Sequence, residues 1–162
     1  MTDRPLLAAR KHSERPHVLI VSDDPSLASF LNEGLPLGGF WTTVIASGLQ
    51  ALEVFRLRQF EIVVLDYELR SFDSVELARR LRGQSSRSEQ GAPRTTAPIV
   101  LISEGEINID PELMQQLGID RAFTAPIELD DLVPELHQVF EDWRVRYPSA
   151  PLSDTPLEEN GK

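Results

Sequence analysis

No cysteine occurs among the 162 residues, which excludes disulfides, thiolate metal sites and cysteine nucleophiles and suits a reducing compartment. Lysine is nearly absent: Lys11 and Lys162 stand near the two ends, so no ammonium side chain falls between them. Apolar runs such as Val18-Leu19-Ile20-Val21 and Ile99-Val100-Leu101-Ile102 are far shorter than the ~20 residues a membrane helix needs. Arg4, Arg10, Lys11 and Arg15 precede no apolar h-region, so no signal peptide and no membrane association are expected. Positive charge is in deficit, with 16 Lys+Arg against 26 Asp+Glu. The resulting net charge of -10 would repel phosphate on average, and no nucleic-acid binding is expected. What is present is globular: 41% hydrophobic and 26% charged residues, at a length that suits one domain with a real core.

Along the chain, residues 1–16 read as a disordered tail, and residues 146–162, with Pro148, Pro151 and Pro156, as another. Between them, residues 17–145 alternate short aliphatic runs with helical patterns. Strands are expected at His17–Ser22, Trp41–Ala46, Glu61–Leu65, Pro98–Ser103 and Arg121–Thr124. Continuous β-branched and aliphatic runs in three of them suit parallel strands covered on both faces. Asp24 and Pro25 form a cap and first turn for a helix that buries Leu27 and Leu31 and stops at Gly34. Further helices are expected over Leu49–Arg58, Ser74–Arg82 and from Pro111 to Gly118. A last one carries Leu129, Leu132, Leu136, Phe140 and Trp143, with Pro134 in its first turn. Arg79, Arg80 and Arg82 are expected on a solvated face. Residues 84–96, rich in Ser, Gly, Pro and Arg, read as a flexible insertion loop. The pattern is (βα)5, an α/β fold with a doubly wound parallel five-stranded sheet.

In such a sheet, ligands bind outside the carboxyl ends of the strands. There the sequence places Asp23 and Asp24 after the first strand, Asp66 after the third, and Ser103 and Glu104 after the fourth. Two carboxylates ~5 Å apart repel by about 3 kcal/mol at an effective dielectric of about 20. Such a cluster calls for a proton or a hard cation, and Mg2+ matches oxygen-only donors. Asp24 alone is accounted for by helix capping; the three aspartates together are not. His12, His17 and His137 share no ligand spacing, and Ser22 has no partnered histidine, so neither metal nor hydrolytic chemistry is assigned to them.

The ordered set Asp23-Asp24, Asp66, Ser103 and Ala125-Pro126 resembles the receiver domain of bacterial two-component response regulators, the CheY-like branch of flavodoxin-like folds. Supporting stretches are residues 46–52, 61–66, 75–82, 98–103 and 118–127. The resemblance spans roughly residues 17–143. It implies that Asp66 is the phosphoacceptor, that Asp23, Asp24 and Asp66 hold Mg2+ with the main-chain carbonyl of Glu68, and that the Ser103 hydroxyl contacts the phosphoryl group. It also implies a histidine kinase or phosphotransfer protein as donor. Output would pass to a downstream protein through the face of the fourth helix, fifth strand and fifth helix, in the cytoplasm. The chain would be a signalling protein rather than an enzyme, and no phosphatase turnover is expected.

Departures from the family pattern are equally specific. Ala125 stands where a lysine is usual, Ala122 where the switching aromatic is usual, and Glu104 where a small residue is usual. Leu69-Arg70 replaces Met-Pro, and Ser74 replaces glycine. Arg70 is the nearest cation by sequence to stand in for the lysine, and an inward Glu104 would occlude the site or compete for its metal. The 19 residues after Trp143 are too few for an output domain, so a stand-alone atypical receiver is expected. The alternative is a degenerate pseudo-receiver acting as a phosphorylation-independent adaptor.

Overall fold

The computed structural model describes residues 15–84 and 93–153. The first 14 residues, the middle of the expected insertion loop and the last nine residues lie outside the described part. Five strands are present: β1 His17–Val21, β2 Trp41–Ile45, β3 Ile62–Asp66, β4 Ile99–Ser103 and β5 Ile119–Thr124. They pair in the order β2-β1-β3-β4-β5, every pair parallel. The helices are α1 Pro25–Gly34, α2 Gly48–Val54, α3 Ser74–Leu81, α4 Pro111–Gln116 and α5 Leu129–Arg146. A single 3-10 turn, Leu35–Gly38, follows α1. Among the described residues, no helix is long and apolar enough to cross a membrane.

Alternation along the three inner strands builds two cores. Leu19, Val21, Val63, Leu65, Ile99 and Leu101 face one side, under Ala51 and Leu52 of α2 and Leu77, Ala78 and Leu81 of α3. Val18, Ile20, Ile62, Val64, Val100 and Ile102 face the other, under Leu31 of α1 and Leu132, Leu136, Val139 and Trp143 of α5. Burial on both faces is why β1, β3 and β4 read as unbroken apolar runs. Asp24 and Asp73 cap α1 and α3, accepting from the amides of Ser26 and Glu76.

The structure departs from the sequence expectations in five places. β5 starts at Ile119 rather than Arg121, with a register shift opposite Ile99 and Val100 that inserts one extra residue. The charged pair Asp120-Arg121 at that irregularity hid the strand's beginning. α2 ends at Val54, and the chain turns so that Arg58 reaches back over Phe60 and the His17 ring. Pro134 is the sixth residue of α5 rather than part of its first turn. Arg82 is not on a solvated face. Its guanidinium donates to the carbonyls of Leu117, Thr95 and Gly118 at 2.7, 2.9 and 3.0 Å. Burial lowers its pKa to about 10. Gly118, in the left-handed region at φ +68°, makes this approach possible, since a Cβ there would lie 2.8 Å from Arg82 Nη2.

The fifth departure concerns the expected flexible segments. The loop's distal part, 93–96, is anchored: Arg94 donates its amide to Leu81 O, Thr95 is buried, and Trp143 Nε1 donates to Thr96 Oγ1. Beyond α5, the expected tail packs back against the second core through Ala150 and Leu152. There Ser153 donates its amide and hydroxyl to the Glu61 carboxylate.

Candidate functional site

The site forms where the parallel strands release the chain at their carboxyl ends. Asp66 closes β3 as a buried residue, only 5% exposed. Its Oδ2 accepts from Ser22 Oγ at 2.7 Å and its Oδ1 from the Glu68 amide at 3.0 Å. Burial pushes the Asp66 carboxyl above its ordinary range, and the nearby charges of Glu68 and Asp23 push the same way against those two hydrogen bonds. Ser22 is a site residue that the sequence does not single out, since it has no partnered histidine. Its position, immediately after β1 and before the acidic pair, is the available signal.

Asp23 and Asp24 follow β1, but their carboxylates serve local structure. Asp23 Oδ2 accepts from the amides of Arg70 and Ser71, both at 2.9 Å, which ties the loop after β3 to the loop after β1. Asp24 Oδ1 caps α1 at 3.0 Å from Ser26 N. The loop after β4 is held by Glu68: Ser103 Oγ donates to its Oε2 at 2.8 Å, Glu104 N to its Oε1 at 3.0 Å and Gly105 N to its Oε2 at 3.3 Å. Although desolvation opposes ionisation, the donated hydrogen bonds from Glu104 N, Ser103 Oγ and Gly105 N hold the Glu68 carboxyl below its usual range. Sequence reasoning gave Glu68 only a main-chain role, because a side chain folding back across two strand ends leaves no spacing signal. Conversely, the occluding role expected of Glu104 is not the one observed. Glu104 is exposed, and the carboxylate on Ser103 belongs to Glu68.

Asp23, Asp24, Asp66, Glu68 and Glu104 line one cleft of about 400 Å³, with Arg70 its only cationic lining residue among the described residues. An adjoining cavity of about 240 Å³ is walled by Leu27, Phe30, Ile102, Ala125 and Ile127. Ala125 thus puts an apolar residue on the cavity beside the acidic cleft, and Ala122 is exposed on β5. Oxygen-only donors repelling one another in a shared cleft are the chemistry a hard divalent ion neutralises. Among the described residues, no three His, Asp or Glu side chains converge as a metal-binding group. Asp23, Asp24 and Asp66, the residues expected to share a metal, line one cleft, with Asp23 and Asp24 turned to loop and cap amides.

Comparison with known proteins fits this geometry. A family profile described as the response regulator receiver domain matches residues 18–137. The transcriptional regulatory protein CseB of Streptomyces avermitilis is 31% identical over 148 residues, which is 91% of this chain and 57% of CseB. The chain spans about half the length of the curated relatives it matches. Among solved structures, a sensor protein from Polaromonas sp. JS666 superposes with a TM-score of 0.65 at 32% identity, covering 79% of this chain and 98% of that one. The receiver domain of the sensor histidine kinase PA1611 of Pseudomonas aeruginosa PAO1, solved with magnesium coordinated in its active site cleft, shares the fold. Its TM-score is 0.64 at 20% identity, covering 78% of this chain and 98% of that one. A profile match over most of the chain, a β2-β1-β3-β4-β5 parallel sheet and an acidic cleft at its carboxyl edge place this chain in the response regulator receiver domain family of two-component signalling.

Proposed function

We propose that this receiver domain accepts a phosphoryl group on Asp66 from a histidine kinase or phosphotransfer protein and transmits its state by contact with another protein. The observation that carries this reading is the buried Asp66 carboxylate, oriented by Ser22 and the Glu68 amide, with Asp23, Asp24 and Ser103 at the neighbouring strand ends. Asp23, Asp24 and Asp66 would hold Mg2+, which supplies charge neutralisation for phosphoryl transfer when bound. Ser22 and the Glu68 amide fix the attacking carboxylate, while Arg70 is the one side chain on the cleft that can offset charge in place of lysine. A protein rather than a nucleic acid is the proposed partner of this domain, in keeping with a net charge of -10.

The pseudo-receiver alternative is supported by one observation. The Ser103 hydroxyl, expected to meet the phosphoryl group, already has Glu68 Oε2 and Gly105 O as acceptors, each at 2.8 Å. Treating the protein with acetyl phosphate and Mg2+ and measuring intact mass separates the two readings. One added phosphoryl in the wild type, lost in Asp66→Asn, supports phosphoacceptance; an unmodified wild type, also unresponsive to beryllofluoride, supports the constitutive adaptor.

A further inference from the structure

We propose that Glu68 is a resident stand-in for the phosphoryl group, an internal anion that occupies its donors and must be displaced before Asp66 can be stably phosphorylated. The inference deepens the phosphoacceptor reading and rests on it. The donors are the Ser103 hydroxyl and the Glu104 and Gly105 amides, all within reach of the two Glu68 carboxylate oxygens; the one Ser103 proton is shared with Gly105 O at 2.8 Å, and Gly105 N also donates to Ser103 Oγ at 3.0 Å. Successive amides that converge on one point make an anion-binding concavity, here closed by the chain itself. The Glu68 amide lies 3.0 Å from Asp66 Oδ1, so the residue touches the phosphoacceptor with its main chain and the receiving donors with its side chain. Asp66 and Ser103 line the same cavity. A second anion on Asp66 would meet both the Glu68 charge and donors already in use. Removing that occupant frees the Glu104 amide toward the cleft and leaves the Ser103 hydroxyl to choose between Gly105 O and an incoming anion.

The transfer itself forms a bond between an Asp66 oxygen and phosphorus as the donor's P–O bond breaks, with acetate leaving with the electron pair when acetyl phosphate is used. Glu68 is a positioning residue and takes no part in that exchange. Charge-assisted hydrogen bonds of this kind set the scale of its effect, so Glu68→Ala should be labelled roughly tenfold faster than wild type at fixed acetyl phosphate and Mg2+. Glu68→Gln, which keeps an acceptor oxygen, should fall between the two. Glu104→Gln removes a charge from the same cleft without touching the donors, and should change the rate by no more than about twofold. Equal acceleration in all three variants would reduce Glu68 to a general electrostatic effect and overturn the proposal, as would an unchanged rate in Glu68→Ala.

A second measurement does not depend on covalent labelling. In Asp66→Asn, inorganic phosphate should leave the Glu104 and Gly105 amide resonances unmoved while Glu68 is present, and shift them once Glu68→Ala is added. If no variant is phosphorylated, the phosphoacceptor reading falls. This titration still decides the inference: shifted amides uphold an anion site occupied by Glu68, and unmoved amides overturn it.

Discussion

At the amino end of the sheet, Arg82, Arg58, His17 and Glu61 are each joined to backbone groups or polar neighbours. At the carboxyl end, five carboxylates share one cleft with Arg70 alone opposite them. Arg82 binds three carbonyls, and His17 sits between Arg58 and Thr43 at 3.0 and 2.7 Å. Glu61 accepts the His17 amide at 2.7 Å and clasps Ser153. Charge at that end is spent on holding strands and helices together. At the other end the carboxylates are met mostly by amides and hydroxyls rather than by cations, and burying the Asp66 carboxylate costs stability, which makes the cleft responsive to an added cation. A receiver needs this asymmetry, because a site that was electrostatically satisfied would gain nothing from a change of ligand.

The sharpest way to break the contrast is Arg82→Met. It removes the donor to the Leu117 and Thr95 carbonyls and leaves Gly118 O with only the Ile99 amide at 3.3 Å, and a loss of about 3 kcal/mol in denaturant unfolding is expected. A smaller effect comes from pH. Burial, reinforced by the charge of Arg58, lowers the His17 pKa from 6.5 to about 4, so the folded state favours the neutral ring. Its contribution is fully present above pH 6.5 and is lost as pH falls toward 4, on the order of 2–3 kcal/mol. Glu61, raised chiefly by burial, takes up a proton more readily when folded and offsets part of that loss. The comparison of wild type with His17→Gln across this window isolates the imidazole: the variant should lose less stability on acidification.

The smallest effect sharpens the contrast from the other end. Asp66 is raised by burial, with Glu68 and Asp23 adding to the shift, so its carboxylate form works against folding at neutral pH. Asp66→Asn should therefore stabilise the protein by about 1 kcal/mol, read as a rise of roughly 2–4 °C in Tm. The gain should shrink as pH falls through the raised carboxyl range, where wild-type Asp66 protonates. A destabilised Asp66→Asn would show that the cleft is not under electrostatic strain.

Much of this was legible in the sequence for definite reasons. Strands buried on both faces leave unbroken runs, as in Val18–Val21 and Ile99–Ile102, and a carboxyl-edge site follows from parallel topology, which put Asp23, Asp24, Asp66 and Ser103 at one edge. Local capping was equally readable at Asp24. Hidden features depend on side chains reaching across the fold. Arg82 looked solvated because its neighbours in sequence are charged, yet its partners lie 13 to 36 positions away. Glu68 meets Ser103 across 35 positions, and Ser153 meets Glu61 across 92. No local period encodes such contacts.

The clasp of Glu61 on Ser153 also fixes an exit direction. Glu61 begins the stretch that Asp66 ends, so about 16 Å of strand, at ~3.3 Å per residue, separates the clasp from the phosphoacceptor. A fluorophore or affinity handle placed at Ser153 itself would sit at the pole facing away from the acidic pocket, leaving that entrance open to a docking donor.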